Sequence, residues 1–334
     1  MQKKEVVSGC GLGPQRVWVQ QLLNGWETAS RDLLKRPIDD LPLMILFDER
    51  CSWSLEHVDA GERGDTSSLR YAGRSVRAIG RMHGDSVSIP GGRTIPVGPT
   101  SFTTVLDGTK VPFFVVALPS VWRNSPAGAG DRRIDQFVLA VAMHELAHTL
   151  QIPAALARID SLRNAGVALP EDLSDDLIEN TFAKDTAFVR MFTAERALYF
   201  EAAFATEVAD TRRFARQALA ITRQRQARFF VGRYAGFETA EDVFVSLEGV
   251  GTWVSYAMAR KFPDLFAINE RTIERRGRNT DWVQGESMAV MITLNRLTTE
   301  WQPAALGREL ASPFALLEQA LGKDKKRFNS ETGN

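Results

Sequence analysis

Residues 137–151, FVLAVAMHELAHTLQ, constrain this chain more than any other stretch. The run is apolar at Phe137, Val138, Leu139, Val141, Met143 and Leu146, so a helix made from it has to be buried. It also carries His144, Glu145 and His148, spaced as His-Glu-x-x-His. A buried carboxylate beside two imidazoles is costly unless a partner compensates. Any fold that accepts this helix must therefore bring something to it. Residues four apart share a helical face, so His144 and His148 can point at one common partner. Two core histidines with ordinary hydrogen bonds are the plainer alternative. The chain has only four histidines, however, and two fall in this pattern with the glutamate in place, which favours a metal ion.

A catalytic Zn²⁺ takes three protein ligands and keeps one position open. Glu145 sits about 100° round the helix from His144, suited to holding and deprotonating a water rather than to ligation. No histidine follows His148, and His57 and His83 lie upstream in loop-like sequence, so a carboxylate must supply the third ligand. The leading candidate is Glu248 in SLEGVGTWVSY (246–256). Gly249 and Gly251 follow it inside a helical pattern, where each glycine costs ~1 kcal/mol relative to alanine. Close approach to another backbone compensates for that, and a helix bringing Glu248 to the motif helix supplies a reason for it. Leu247, Val250 and Trp253 mark the helix as largely buried. The rival ligands are Glu195 and Glu201 in TAERALYFEAAFA, which read more readily as surface charges, and Glu286 in VQGESMAV.

An oxyanion formed in the transition state needs a donor. Tyr256, eight residues beyond Glu248, leads, with Tyr199, Tyr234 and His83 behind it. A buried structural tyrosine explains Tyr256 equally well.

His-Glu-x-x-His, followed downstream by a helix bearing Glu-Gly-x-Gly-x-aromatic, resembles the gluzincin class of zinc metallopeptidases, to which the thermolysin-like enzymes belong. The resemblance covers two helices. It implies zinc held by His144, His148 and Glu248, with Glu145 as general base and proton shuttle. It also implies a peptide or protein substrate, and a sheet edge strand beside the motif helix that pairs with extended substrate. The segment FFVVALP (113–119) is a candidate for that strand, and a plain core strand otherwise. The chain departs from the family in two places. Glu248 follows His148 by 100 residues, which makes 154–235 a helical insertion, and Thr252 stands where the family often has an acidic residue supporting a ligand histidine. That support has to come from elsewhere, Glu286 being one source. The metzincin pattern is excluded, because it needs a histidine shortly after His148.

The rest of the chain predicts an α+β fold that is predominantly helical. Residues 1–130 form a small mixed part: an irregular helix over 14–35, a buried strand in 41–47, a hairpin in 86–98 about Gly91-Gly92, and a strand in 111–119. A Gly/Ser/Pro loop, 123–131, leads to the motif helix, capped by Asp131 or Asp135 and ended by Ile152-Pro153. Residues 131–322 form a helical catalytic part, in which TAED (239–242) reads as a capping box opening a helix, and the polar 323–334 reads as a disordered tail.

Charge gives no other direction. Lys+Arg and Asp+Glu are both 41, which provides no pull toward nucleic acid, and the Arg-rich 211–233 reads as a solvated helix face. No apolar run reaches membrane-spanning length. Val7-Ser8-Gly9-Cys10 looks like the tail of a lipoprotein signal without its apolar region, and reads as chance or the scar of a removed leader. Cys10 and Cys51 lack metal-ligand spacing, and both a disulfide and two free thiols are open, so the compartment is undecided. The expectation is a zinc metallopeptidase. A metal-dependent hydrolase of a non-peptide substrate and a catalytically silent, metalloprotease-like binding scaffold are the alternatives.

Overall fold

A computed structural model describes residues 9–58, 69–126, 128, 130–167, 169, 173–266, 274–275, 278 and 282–331, with the side chains of 264–265 and 323–331 outside the description. Parts of the lipoprotein-like start, the Gly/Ser/Pro loop, the helical insertion and the tail therefore lie outside it. The fold is α+β and predominantly helical, with its sheet in the N-terminal part. Two compact units divide the chain: residues 1–153 with 254–269, and residues 154–253 with 270–334.

The first unit is built on a six-stranded sheet of order β3-β4-β2-β1-β8-β7. Its strands are β1 (Leu43–Phe47), β2 (Cys51–His57), β3 (Leu69–Tyr71), β4 (Arg74–Met82), β7 (Ser101–Val105) and β8 (Pro112–Ala117). The hairpin β5 (Ser86–Ser88) and β6 (Thr94–Pro96) stands apart from it, with Gly91 and Gly92 in the turn at positive φ. Pairing is antiparallel except for β1 with β8, which run parallel. Phe113 to Ala117 of β8 are all fully buried, as expected of a strand covered on both faces. This strand lies between β1 and β7 and is not an edge. The edge strand next to it is β7, whose five residues are all half-buried, and β3 is the edge on the other side.

Cross-strand partners share a sheet face. Phe113, Val115 and Ala117 pack with Ile45, Phe47, Val87 and Ile89 on one face. Phe114 pairs with Thr103 on the other, and Thr103 meets the motif helix there. That helix, α3 (Ile134–Asn164), follows α1 (Arg16–Thr28) and the short α2 (Pro119–Arg123). Trp18 of α1 donates its indole N–H to the Asp135 carbonyl, and Gly25 of α1 lies against Met143 of α3. Cys10 and Cys51 form a disulfide, which settles the pairing that the sequence left open.

The second unit is helical. It contains α4 (Leu177–Phe182), α5 (Thr186–Phe204) and α6 (Val208–Phe229). Further along are α7 (Phe237–Lys261), α8 (Pro263–Phe266), α9 (Trp282–Leu297), α10 (Gln302–Ala305) and α11 (Pro313–Glu331), with the C-terminal end of α7 and all of α8 assigned to the first unit. Asp185 caps α5, its carboxylate accepting from the amides of Ala187 and Phe188.

Two sequence expectations fail here. Pro153 does not end the motif helix, which runs on through it to Asn164. An interior proline loses one helical hydrogen bond, at a cost of roughly 3 kcal/mol. Packing beyond it offsets the loss: Ala155 and Ile159 bury against Val243 and Leu310, and Arg158 donates to the Leu310 carbonyl at 2.8 Å. Nor does TAED open a helix. α7 starts earlier, at Phe237, and the two acids turn inward, Glu241 to Arg225 at 2.9 Å and Asp242 to the Ser312 hydroxyl at 2.6 Å.

Candidate metal centre

The motif helix begins where Asp131 accepts the Arg133 amide at 2.9 Å, so Asp131 serves as the cap, while Asp135 lies in the first turn and pairs with Arg123. Val138, Leu139, Ala142, Met143, Leu146 and Ala147 are buried along it. One helical turn separates His144 from His148, and their Nε2 atoms lie 2.9 Å apart. His148 is buried and His144 half-buried.

Glu248 on α7 completes the group. One ligand atom from each of His144, His148 and Glu248 can be chosen so that all lie within 4.8 Å of one another. Among the described residues this is the one group of three or more such side chains that can hold a metal ion. The donor set, two imidazole nitrogens and one carboxylate oxygen, suits an ion of borderline softness that accepts both ligand types.

The glycine after Glu248 has a structural reason. A Cβ on Gly249 would meet Met291 Cγ at 2.6 Å and the Ser287 carbonyl oxygen at 3.0 Å, both on α9. The close approach that the sequence anticipated is therefore real, but its partner is α9. Asp175, ahead of α4, accepts from Gln284 of α9 at 2.5 Å. Burial raises its carboxyl pKa and the charge of Glu248 adds to that, against the Gln284 bond.

Glu145 lies beside the two histidines and is half-buried. Thr103 of β7 reaches it: the Thr103 hydroxyl is 2.8 Å from the Glu145 carbonyl oxygen and 3.0 Å from its Oε2. Reading the sequence missed Thr103. It is one of two threonines in SFTTV (101–105), and only the register of β7 shows which of them faces the helix.

Tyr256 is buried on α7. Its neighbour Ser255 donates to the Ala140 carbonyl of α3 at 2.7 Å. Tyr199 is engaged with the Thr222 hydroxyl at 2.9 Å, Tyr234 accepts from Arg233 at 2.5 Å, and His83 is bonded to the Gly84 carbonyl.

The rival carboxylates lie elsewhere. Glu201 is exposed. Glu195 is no surface charge: it is fully buried, its Oε1 2.7 Å from Arg225 Nε, and burial pushes its carboxyl up to about 7. Arg225, which the sequence placed on a solvated face, is the centre of this second cluster. Its guanidinium also holds Glu241 and lies over the rings of Phe188, Phe192 and Phe230 at 5.1, 5.4 and 5.4 Å. Glu286 faces this cluster rather than supporting a ligand histidine. Both its oxygens lack a donor, and burial together with the charge of Glu195 raises its pKa well above the carboxylate range. The other arginines of the segment behave as expected on a solvated face: Arg213 pairs with Asp210 and Arg223 with Glu318.

No helix among the described residues is long and apolar enough to cross a membrane. No protein-family model, curated protein or solved structure matches the chain, so its functional reading rests on the geometry of its own residues.

Proposed function

We propose that the chain is a zinc-dependent hydrolase of gluzincin type that cleaves peptide bonds. The observation that carries this reading is the convergence of His144, His148 and Glu248 within 4.8 Å, with Glu145 next to the first ligand. Two histidines and one glutamate are the donor set of catalytic zinc sites with an open position. Zinc bound there would polarise a carbonyl and make a water acidic enough to attack near neutral pH.

The residues divide the work. His144, His148 and Glu248 hold the ion. Glu145 takes the proton of the attacking water and returns it to the leaving amine. Tyr256 donates to the oxyanion. The outer side of β7 offers unpaired backbone groups to an extended peptide, and β7 is the strand in contact with the Glu145 helix.

The test is metal analysis with activity on labelled casein. Purified protein should carry one zinc per chain, and His144→Ala should lose it. Glu145→Gln should keep the zinc and lose hydrolysis. Absence of stoichiometric zinc defeats the reading. Zinc binding without casein hydrolysis leaves the metal centre and removes the peptidase.

A further inference from the structure

We propose that Thr103 is a positioning residue for Glu145, a latch through which the edge strand sets where the general base points. The inference rests on the reading of Glu145 as the base. The Thr103 hydroxyl has one proton and two acceptors on the same residue, the Glu145 carbonyl at 2.8 Å and Oε2 at 3.0 Å. The carbonyl lies inside α3, where the amide one turn on already serves it. The carboxylate has no such built-in donor, and the bond to it is charge-assisted and therefore the stronger of the two.

Two consequences follow from this arrangement. Threonine is β-branched and stiff at χ1, so the β7 backbone fixes its hydroxyl. A long glutamate side chain is thereby held by a strand rather than left to its own rotamers. The second acceptor makes the latch releasable. When the carboxylate turns to take a proton, the hydroxyl can pass its own hydrogen to the Glu145 carbonyl, and no buried donor is stranded. Anything that shifts β7, including a peptide pairing with its outer side, shifts the seat of the base.

The experiment uses zinc-loaded full chain, labelled casein as probe, and the variants Thr103→Val, Thr103→Ser and Glu145→Gln. Thr103→Val keeps the shape and removes the hydroxyl. It should keep the zinc and KM and lower kcat by about tenfold to a hundredfold, and Thr103→Ser should recover most of that loss. Unchanged kcat in Thr103→Val, or a serine variant as slow as the valine one, overturns the proposal. Should wild type prove no faster than Glu145→Gln on casein, the peptidase reading fails separately. The latch is then decided by crystal structures of the zinc-loaded proteins: a displaced Glu145 carboxylate in Thr103→Val supports it, and an unmoved one overturns it.

Discussion

Arg225 and Glu195 meet entirely out of solvent, with Nε and Nη2 of the arginine each 2.7 Å from Oε1 of the glutamate. The same guanidinium gives its Nη1 to Glu241 at 2.9 Å, and Glu286 faces the cluster without a cationic partner of its own. One buried cation thus faces three buried carboxyl groups, and removing it leaves them uncompensated. Arg225→Ala should destabilise the fold by about 3–5 kcal/mol. Arg225→Lys should recover only part of this, because a single ammonium can neither fork between Glu195 and Glu241 nor lie flat over three phenylalanine rings. Urea unfolding measures both variants, and a lysine variant as stable as wild type would refute the fork.

The buried carboxyl groups of Glu195 and Glu286 make stability depend on pH in a definite direction. Burial raises the Glu195 carboxyl to about 7, and Glu286 is also raised. In the unfolded chain both titrate near the ordinary glutamate value of about 4.3. Between that value and about 7 the folded state binds more protons than the unfolded one. Stability therefore falls as pH rises through this window. Asp242, raised to about 6 mainly by burial, acts in the same direction. Glu286→Gln removes a carboxyl that has to stay protonated, so the drop in Tm from about pH 5.5 to about pH 8 should shrink. A drop as steep as in wild type would show that Glu286 is not among the groups that bind the extra protons.

These two residues also mark where reading the sequence stops. HELAH was legible because helical geometry alone puts His144 and His148 on one face. Glu248 stood out in the sequence through the two glycines after it, although the backbone that Gly249 lets approach belongs to α9 and not to the motif helix. β1, β8 and the β5–β6 hairpin followed from apolar runs and turn residues. Arg225 was not legible, since one buried arginine among six exposed or half-buried ones carries no local mark; only tertiary packing selects it. Pro153 misled because its local penalty is smaller than the packing of Ala155 and Ile159 beyond it. Thr103 was hidden because sheet register, a long-range property, decides which threonine meets Glu145.

Gly249 links the fold to the site. In an open helix, alanine for glycine stabilises by up to ~1 kcal/mol. Here the added Cβ would stand 2.6 Å from Met291 Cγ and 3.0 Å from the Ser287 carbonyl oxygen. Gly249→Ala should instead destabilise by about 1–3 kcal/mol, as overpacked helices separate. Because the neighbouring residue is Glu248, zinc affinity should weaken as well. Thermal unfolding of the metal-free protein and a competition titration with a zinc indicator separate the two effects. A stabilised variant would mean that α7 and α9 are farther apart than described.

The Cys10–Cys51 disulfide closes a loop with a sequence separation of 41 and ties the N-terminal segment to β2. Its loss should cost about 2–4 kcal/mol, mostly by freeing the unfolded chain. The segment has other anchors: Trp53 donates its indole N–H to the Cys10 carbonyl at 2.9 Å, and Gly80 leaves the space in which that carbonyl sits. Cys10→Ser, Cys51→Ser and the double variant should therefore show the same lowered Tm and bind zinc as wild type does. Loss of zinc in any of them would tie the disulfide to the metal centre.

Metal linkage decides the third ligand without needing a substrate. An ion that binds only the folded chain stabilises it by mass action, about 2.7 kcal/mol at a free concentration one hundred times Kd. Wild type should show a Tm that rises with zinc and falls back on chelation. Glu248→Ala should lose most of that rise, because two histidines alone hold the ion weakly. Glu195→Gln alters the Arg225 cluster, so its metal-free Tm should change while its zinc-dependent rise stays intact. Glu201→Ala, on an exposed position, should change neither. If the rise survives in Glu248→Ala and disappears in Glu195→Gln, the ligand set drawn from the 4.8 Å convergence is wrong. The general base would then have to be sought again around whichever carboxylate holds the ion.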